Sequence, residues 1–472
     1  MIDFPKSADG AESEPGSSSP ESPLHAATPA LKPAHQHRDI MTAAMTIALL
    51  TAIVRMASVG KELTIAWRFG TSDDLDAFLI SILVPVAIVG VLSGAFSASF
   101  IPIYIETKEN EGLVSARNLF QSVAGWVLLL LCLVAALVAF AAPWYLPLLG
   151  SGFGVEKFRF TLKLVWFNSL IVIPGGMAAV WTAALNAERR FAVAAAAPLT
   201  TPVLTLVIIW LAPGFGTFGL VAGMIAGSAI EMVLVGLALN RLGLTIRVRW
   251  PRMDPKIRRL AAQFLPVMSG AVLNSGNFLI DQAMAAMLAT GSVAALNYGN
   301  RVVQFPLALS AAALGTALMP YLSRLAAARD WLELNRTVRR YIKLSFIITL
   351  PLTAGLFLFS KPIVSLIFYR GAFTVADVEL VSRIQAFYAL QIPSYLVSIV
   401  IVRLISSLQS NQLLLFATII NLLTNIVLNF IFMRWLGLPG IALSTSVVYL
   451  LSTILWYLVI MSRLRKLISA DS

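Results

Sequence analysis

At 472 residues, 58% hydrophobic and only 12% charged, with a mean hydropathy of +0.83, this chain has too little polar surface for a soluble globular protein. Apolar runs of 18 or more residues recur, each long enough to cross a hydrocarbon core of roughly 30 Å. Lipid offers the backbone no hydrogen bonds, so these runs must be helices; a barrel would show short alternating strands. The net charge of +12 could suggest nucleic acid, but basic residues in a membrane protein mark cytoplasmic loops, and a nucleic-acid partner is set aside.

The first 40 residues are rich in Ser, Pro, Ala and Glu and read as a disordered cytoplasmic tail. They lack a signal-peptide pattern, so the first apolar run is expected to be retained. Spans follow at 41–60, 74–100, 120–142, 161–183, 192–212, 217–239, 260–289, 296–320, 341–360, 380–408, 412–434 and 439–462. The fold class is therefore an all-α polytopic membrane protein of about twelve transmembrane helices. An N-terminal six-helix half (41–240) leads through a basic cytoplasmic linker (241–259) to a C-terminal six-helix half (260–463) and a short cytoplasmic tail (464–472). With both termini inside, the cytoplasmic segments collect Arg189 and Arg190, the linker cations Arg241, Arg247, Arg249, Arg252, Lys256, Arg258 and Arg259, the group Arg324 to Lys343, and Arg463, Arg465 and Lys466. The outer loops keep only a scattered few, such as Lys157, Arg159, Lys361 and Arg370, as the positive-inside rule requires.

The two halves are repeats. Gly70, Asp76, Pro85 and Gly94 return 221 residues later as Gly291, Asn297, Pro306 and Gly315, and Gly219 returns as Gly440. An even number of spans separates them, so the halves share one orientation and are related by a pseudo-two-fold along the membrane normal, as in transporters with parallel repeats. Two halves already enclose a cavity, so a monomer is the expected functional unit.

Ionisable groups at membrane depth each need a partner or a watery cavity. The candidates are Arg55, Lys61, Glu62, Asp76, Glu231, Asp281, Arg301 and Arg403. If the first, second, seventh and eighth spans meet across a central cleft, Arg55, Lys61 and Arg301 form a cationic patch suited to the diphosphate of a polyprenyl lipid, since guanidinium forks onto phosphate oxygens and keeps its charge. The alternative for these cations is internal pairing with Asp76 and Glu62, or snorkelling to headgroups. Asp76 stands with them as a substrate contact or as an internal counter-charge or gate partner. Pro85, Gly94, Pro306 and Gly315 mark matching candidate hinges, with ordinary packing kinks as the alternative. In the C-terminal half, Asp281, the i,i+4 pair Asn425 and Asn429, and Thr445 supply oxygens that could hold a monovalent cation, or could glue the bundle by interhelical hydrogen bonds. Glu231 and Arg403 are left unassigned.

The three histidines, His25, His35 and His37, all lie in the N-terminal tail, and the single cysteine, Cys132, sits in an apolar run. No metal-ligand spacing, nucleophile constellation or P-loop is present, so neither an enzyme nor a cofactor is expected; energy would come from a monovalent cation gradient, the membrane potential or the substrate gradient.

The stretch VRMASVGKELTIAWRFGTSDDLDAFLISILVP, then GAFSASFIPIY, resembles the first two helices of MurJ/MviN-type lipid II flippases, and LNYGNRVVQFPLALSAAALGTALMPYLSR at 296–324 resembles their eighth. The similarity runs from about 41 to 462 and places the chain in the multidrug/oligosaccharidyl-lipid/polysaccharide exporter superfamily. It implies alternating access around a cationic cavity that receives an undecaprenyl-diphosphate headgroup, in a bacterial inner membrane. Arg55, Asp76 and Arg301 match the family's polar positions; Lys61 stands where an arginine is usual, and Asn300 where an acid is usual. After Pro85, Val89 and Gly90 replace paired arginines and Ser93 a glutamate, and the family carries two further helices beyond the twelfth. The resemblance thus leaves open lipid II or another polyprenyl-linked glycan, such as an exopolysaccharide or O-unit precursor. Two other functions are weighed against flipping: a cation-coupled exporter of small amphipathic compounds, and a membrane glycan polymerase or ligase, which the short outer loops disfavour.

Overall fold

The structure, a computed structural model, describes residues 33–244, 254–408 and 412–471. Residues up to Thr46 form a unit of their own, and the contacts below are those of the unit Ile47–Ser472. In the N-terminal half, α1 (Pro33–Phe69) makes the first crossing and α2 (Asp73–Leu149) the second and third. α2 folds back at Gly112, whose φ of +84° suits glycine. The Phe100 and Phe120 rings consequently lie 6.4 Å apart, where a straight helix would separate them by roughly 30 Å. The fourth crossing is α3 (Val155–Ser169) with α4 (Val172–Ala187); the fifth is α5 (Phe191–Ala196), a 3₁₀ turn and α6 (Thr200–Leu211); the sixth is α7 (Gly216–Arg241). The C-terminal half follows as α8 (Pro255–Ala286), α9 (Ser292–Ala327), α10 (Trp331–Leu358) with the short α11 (Ser360–Phe368), α12 (Val375–Ala389) with α13 (Gln391–Ser407), α14 (Gln412–Leu436) and α15 (Leu438–Asp471).

Eight helical segments are apolar and long enough to cross a membrane by length and composition. α2 counts twice, and α1, α8 and α9, which carry Arg55, Asp281 and Arg301, add the remaining three long helices. The described residues therefore make the twelve crossings expected. Several boundaries differ from expectation. Residues 33–40, read as tail, continue α1 upstream, and 464–471 continue α15; residues 1–32 and the linker cations Arg247, Arg249 and Arg252 lie outside the described residues. The fourth and tenth spans are broken at the same place in each half, after Ser169 and after Ala389. Pro174 and Pro393 explain it, because each ring removes an N–H and crowds the carbonyl four residues back. Pro85 and Gly94, named as candidate hinges, lie within α2, and their counterparts Pro306 and Gly315 within α9.

The apolar core forks. At the end where residues 70–72, 150–154, 287–291 and 369–374 connect the helices, one cluster joins both halves, Leu75, Leu146 and Leu164 packing with Ala285, Leu296 and Phe368. At the other end there are two clusters, one around Phe100, Phe120, Val180 and Leu239, the other around Leu318, Val338, Leu404 and Ile460. Among the described residues the first turns of α8 cross to the N-terminal cluster through Ile257, Leu260 and Phe264, and Lys256 and Arg259 pair with Glu111 and Glu106 of α2. The halves thus share one core at the first end, the sealed end, and keep separate cores at the other, the parted end, where α8 bridges them.

A clamp holds the parted end of the N-terminal half. The buried Tyr104 hydroxyl donates to Glu188 Oε1 at 2.7 Å, and Lys108 Nζ reaches both carboxylate oxygens at 2.8 and 2.7 Å. Burial pushes the Glu188 carboxyl up, but the hydrogen bonds from Lys108 and Tyr104 outweigh it and hold the group below its ordinary value of 4.5. A depressed carboxylate contributes stability that is present above its unfolded pKa and lost as pH falls through the folded one. Glu188→Gln is therefore expected to lower the thermal midpoint at neutral pH. The gap between the two proteins should close below about pH 4.5, which thermal unfolding in detergent across that range checks.

Candidate functional site

The sealed end is built from backbone meeting backbone. The Ala372 N–H donates to the Trp67 carbonyl at 2.7 Å, and the Tyr298 hydroxyl donates to the Gly70 carbonyl at 3.2 Å. Gly291 and Gly371 have φ of +82° and +59°, and a Cβ on either would stand 2.3 Å from Thr71 O or 2.2 Å from Trp67 O. Only glycine fits both the backbone conformation and the space.

Asp76 belongs to this seal. α9 starts at Gly291 without a side-chain cap of its own, which would leave its first N–H groups orphaned. Asp76 supplies the cap from the other half, its Oδ2 accepting from the Gly291 N–H at 2.7 Å and its Oδ1 from the Ala294 N–H at 2.9 Å, while Lys157 Nζ lies 3.2 Å from Oδ2. Its negative charge also suits the positive end of the α9 dipole. The side chain is 2% exposed, and both oxygens are engaged. In this conformation the Asp76 carboxylate joins the two halves and has no free oxygen. Its repeat mate Asn297 bonds within its own half, to Gln282 Oε1 at 2.7 Å, so the two halves contribute unequally to the seal.

Below the seal the cations gather. Glu62 Oε1 lies 3.0 Å from Lys61 Nζ and 3.1 Å from Arg301 Nη2, which belongs to the opposite half. One carboxylate thus bridges two of the three expected cations. Arg55 is exposed and seven residues before Glu62, which sets it on the same face of α1 about 10 Å further toward the parted end. It pairs with no described residue. The Arg301 side chain is 53% exposed. Sequence reasoning brought Arg55, Lys61 and Arg301 together; it named Glu62 as a counter-charge without identifying the Arg301 partnership.

The C-terminal constellation also assembles. Asn429 Nδ2 donates to Asp281 Oδ1 at 2.8 Å and to Asn425 Oδ1 at 3.2 Å, and the Thr445 hydroxyl donates to Asp281 Oδ2 at 3.1 Å. Asp281 is 5% exposed, Asn425 1% and Asn429 0%. Among the described residues no basic group pairs with Asp281, and the Asn429 Oδ1 is buried without a hydrogen-bond partner. Glu231, in α7, forms no ion pair with a described residue, and Arg403, in α13, leaves its Nε buried and unpartnered. Cys132 is an exposed free thiol in α2. What the sequence did not signal is Lys157: nothing in its loop context announces that it folds back to the start of α2.

Two six-helix halves, joined at one end above cations contributed by both, have the architecture of a membrane transporter. A family model described as lipid II flippase MurJ matches residues 65–471, and the chain belongs to that family. The probable lipid II flippase MurJ of Vibrio cholerae is 26% identical over 440 residues, covering 89% of this chain and 82% of the relative. The lipid II flippase MurJ of Burkholderia cenocepacia is 25% identical over 441 residues, covering 89% and 83%. Among solved structures, a lipid II flippase MurJ in an inward closed conformation superposes with a TM-score of 0.77 at 23% identity, covering 90% of each chain. An inward-facing multidrug resistance MATE family transporter of the MOP superfamily gives 0.73 at 14% identity, covering 91% and 100%.

Proposed function

We propose that this protein flips a polyprenyl-diphosphate-linked saccharide, lipid II or a related cell-envelope glycan precursor, from the cytoplasmic to the periplasmic leaflet. The observation that carries the reading is the pair of cations from opposite halves, Lys61 and Arg301, sharing one carboxylate at the roof of a cleft open at one end. An entering diphosphate replaces Glu62 on both, gains Arg55 below, and leaves its tail in the bilayer. Among the described residues Arg189, Arg190, Arg258, Arg259, Arg336 and Arg463 lie at the parted end, which supports a cytoplasmic opening and cytoplasmic termini. Release then requires the parted end to close and Asp76 to let go of α9. Depletion in the native host followed by mass spectrometry of polyprenyl-linked precursors tests this. Accumulated lipid II with lysis supports peptidoglycan work, another accumulated lipid-linked glycan supports a specialised flippase, and no change in either returns the protein to the export of small amphipathic compounds.

The cluster around Asp281 favours coupling to a monovalent cation. One buried carboxylate without a basic partner balances one positive charge, and the remaining donors are hard amide and hydroxyl oxygens. Sodium at 100 times its Kd is expected to stabilise the wild type by about 2.7 kcal/mol against choline, and Asp281→Asn to abolish the effect while keeping the local shape. Thermal unfolding in the two salts reads it; equal midpoints in the wild type would leave the membrane potential as the energy source.

A further inference from the structure

A second cavity, of about 560 Å³, lies inside the C-terminal half among α8, α13, α14 and α15, separate from the cleft between halves. Its lining includes Asn425 and Thr445, which are members of the Asp281 cluster, and it extends to Ile405 and Leu414, which flank the α13–α14 connection at the parted end. Along α14, Thr418, Asn421, Asn425 and Asn429 recur at spacings of three, four and four, and between Leu413 and Met433 only Thr424 is polar besides them. They form one polar ridge roughly 16 Å long that ends at Asp281. Asn277 on α8 faces the same space with a buried Oδ1 that has no hydrogen-bond partner. Neither Asn421 nor Ser452 on α15 makes a hydrogen bond to a described residue. Unpaired polar groups around a space this large call for water rather than vacuum.

From the other end the Asp281 cluster is shut. Met284, Ala285, Ala286, Leu438, Ile441 and Ala442 pack above it, none more than 5% exposed. An ion shedding its hydration shell there would meet no oxygen, whereas the α14 ridge offers one at each turn. We propose that this intra-half cavity is a hydrated passage by which a monovalent cation reaches Asp281 from the parted end, independent of the cleft that takes the lipid headgroup. Asn277 and Asn421 are the relay oxygens along it. The proposal rests on the cation-site reading above and adds the route, the side of entry and its separation from the substrate path.

The single native cysteine makes the test direct. In a Cys132→Ser background, Thr418→Cys and Ser452→Cys place a thiol in the cavity, and Leu455→Cys places one on the apolar surface of α15, 41% exposed. A thiol reacts through its thiolate, which forms in water and not in an apolar setting. A cationic, membrane-impermeant methanethiosulfonate applied from the parted face should therefore label both cavity positions about tenfold or more faster than Leu455→Cys. Sodium, but not choline, should slow that labelling, and Asp281→Asn should remove the protection. Two positions guard against one variant failing to fold, and the thermal midpoint reports on each. Absence of labelling at both, with the sodium-dependent midpoint intact, overturns the passage and leaves the cation site standing. A midpoint indifferent to sodium, with labelling also indifferent, overturns the cation site and the route with it. Labelling only from the sealed face reverses the side of entry and refutes the proposal.

Discussion

Arg301→Ala is expected to reduce flipping by roughly 100-fold while leaving the chain folded, because a charge-assisted contact to phosphate is made and lost at each cycle. The side chain is half exposed and holds no apolar core, so its removal leaves no cavity. The one group it deserts is Glu62, which keeps Lys61 at 3.0 Å. Arg301→Lys should recover part of the activity, since the charge returns without the fork. Glu62→Gln separates the two roles of the cluster. If Glu62 is only the resting counter-ion, the amide variant loads substrate at least as well as the wild type, and Arg301→Ala stays defective in that background. Precursor exposure on the outer leaflet, measured in cells that depend on the variant, is the readout. Normal exposure with Arg301→Ala would remove the arginine from the substrate path.

The second large effect concerns the seal. Gly291→Ala puts a Cβ 2.3 Å from the Thr71 carbonyl in a backbone conformation that L residues rarely adopt, so the sealed state cannot form as it stands. Asp76→Asn acts more gently: the amide accepts one N–H of α9 but gives up the charge that faces Lys157 and the helix dipole. A hydrogen bond to a charged group contributes about 1.5–3 kcal/mol, so the sealed-to-open ratio should fall by roughly 10- to 100-fold. Ser58 lies on α1 between Arg55 and Glu62, and in the Cys132→Ser background Ser58→Cys reports on the cleft from the far side. Its labelling through the sealed face should rise in both variants, more in Gly291→Ala, while transport is lost. Unchanged labelling in both would mean that apolar packing alone, through residues such as Leu75, Leu296 and Phe368, keeps that end shut.

Much of this architecture could be read before any coordinates. Hydropathy over twenty residues is a local property, so the helical class and most of the crossings follow from it, and glycines recurring at a fixed offset declare the repeat. The oxygens of Asp281, Asn425, Asn429 and Thr445 were also legible, because helical spacing places Asn425 and Asn429 on one face and lipid penalises any other arrangement of buried polar groups. The cations of the cleft were legible for the same reason: an unpaired charge at membrane depth needs a cavity or a partner.

Other features belonged to the tertiary structure. Asp76 could be read as a substrate contact or as an internal counter-charge or gate partner, but which N–H groups go unsatisfied at the start of α9 is known only once the two halves are packed, and those orphans claim its carboxylate. The breaks in the fourth and tenth spans required knowing that Pro174 and Pro393 distort their helices while Pro85 and Pro306 are accommodated in continuous ones. Glu62 meets Arg301 across 239 residues of sequence, a distance that no periodicity bridges. Composition and spacing therefore determined what must be buried and which faces are polar. Long-range packing decided which end is sealed, because that depends on complementary backbone surfaces from both halves rather than on any one segment.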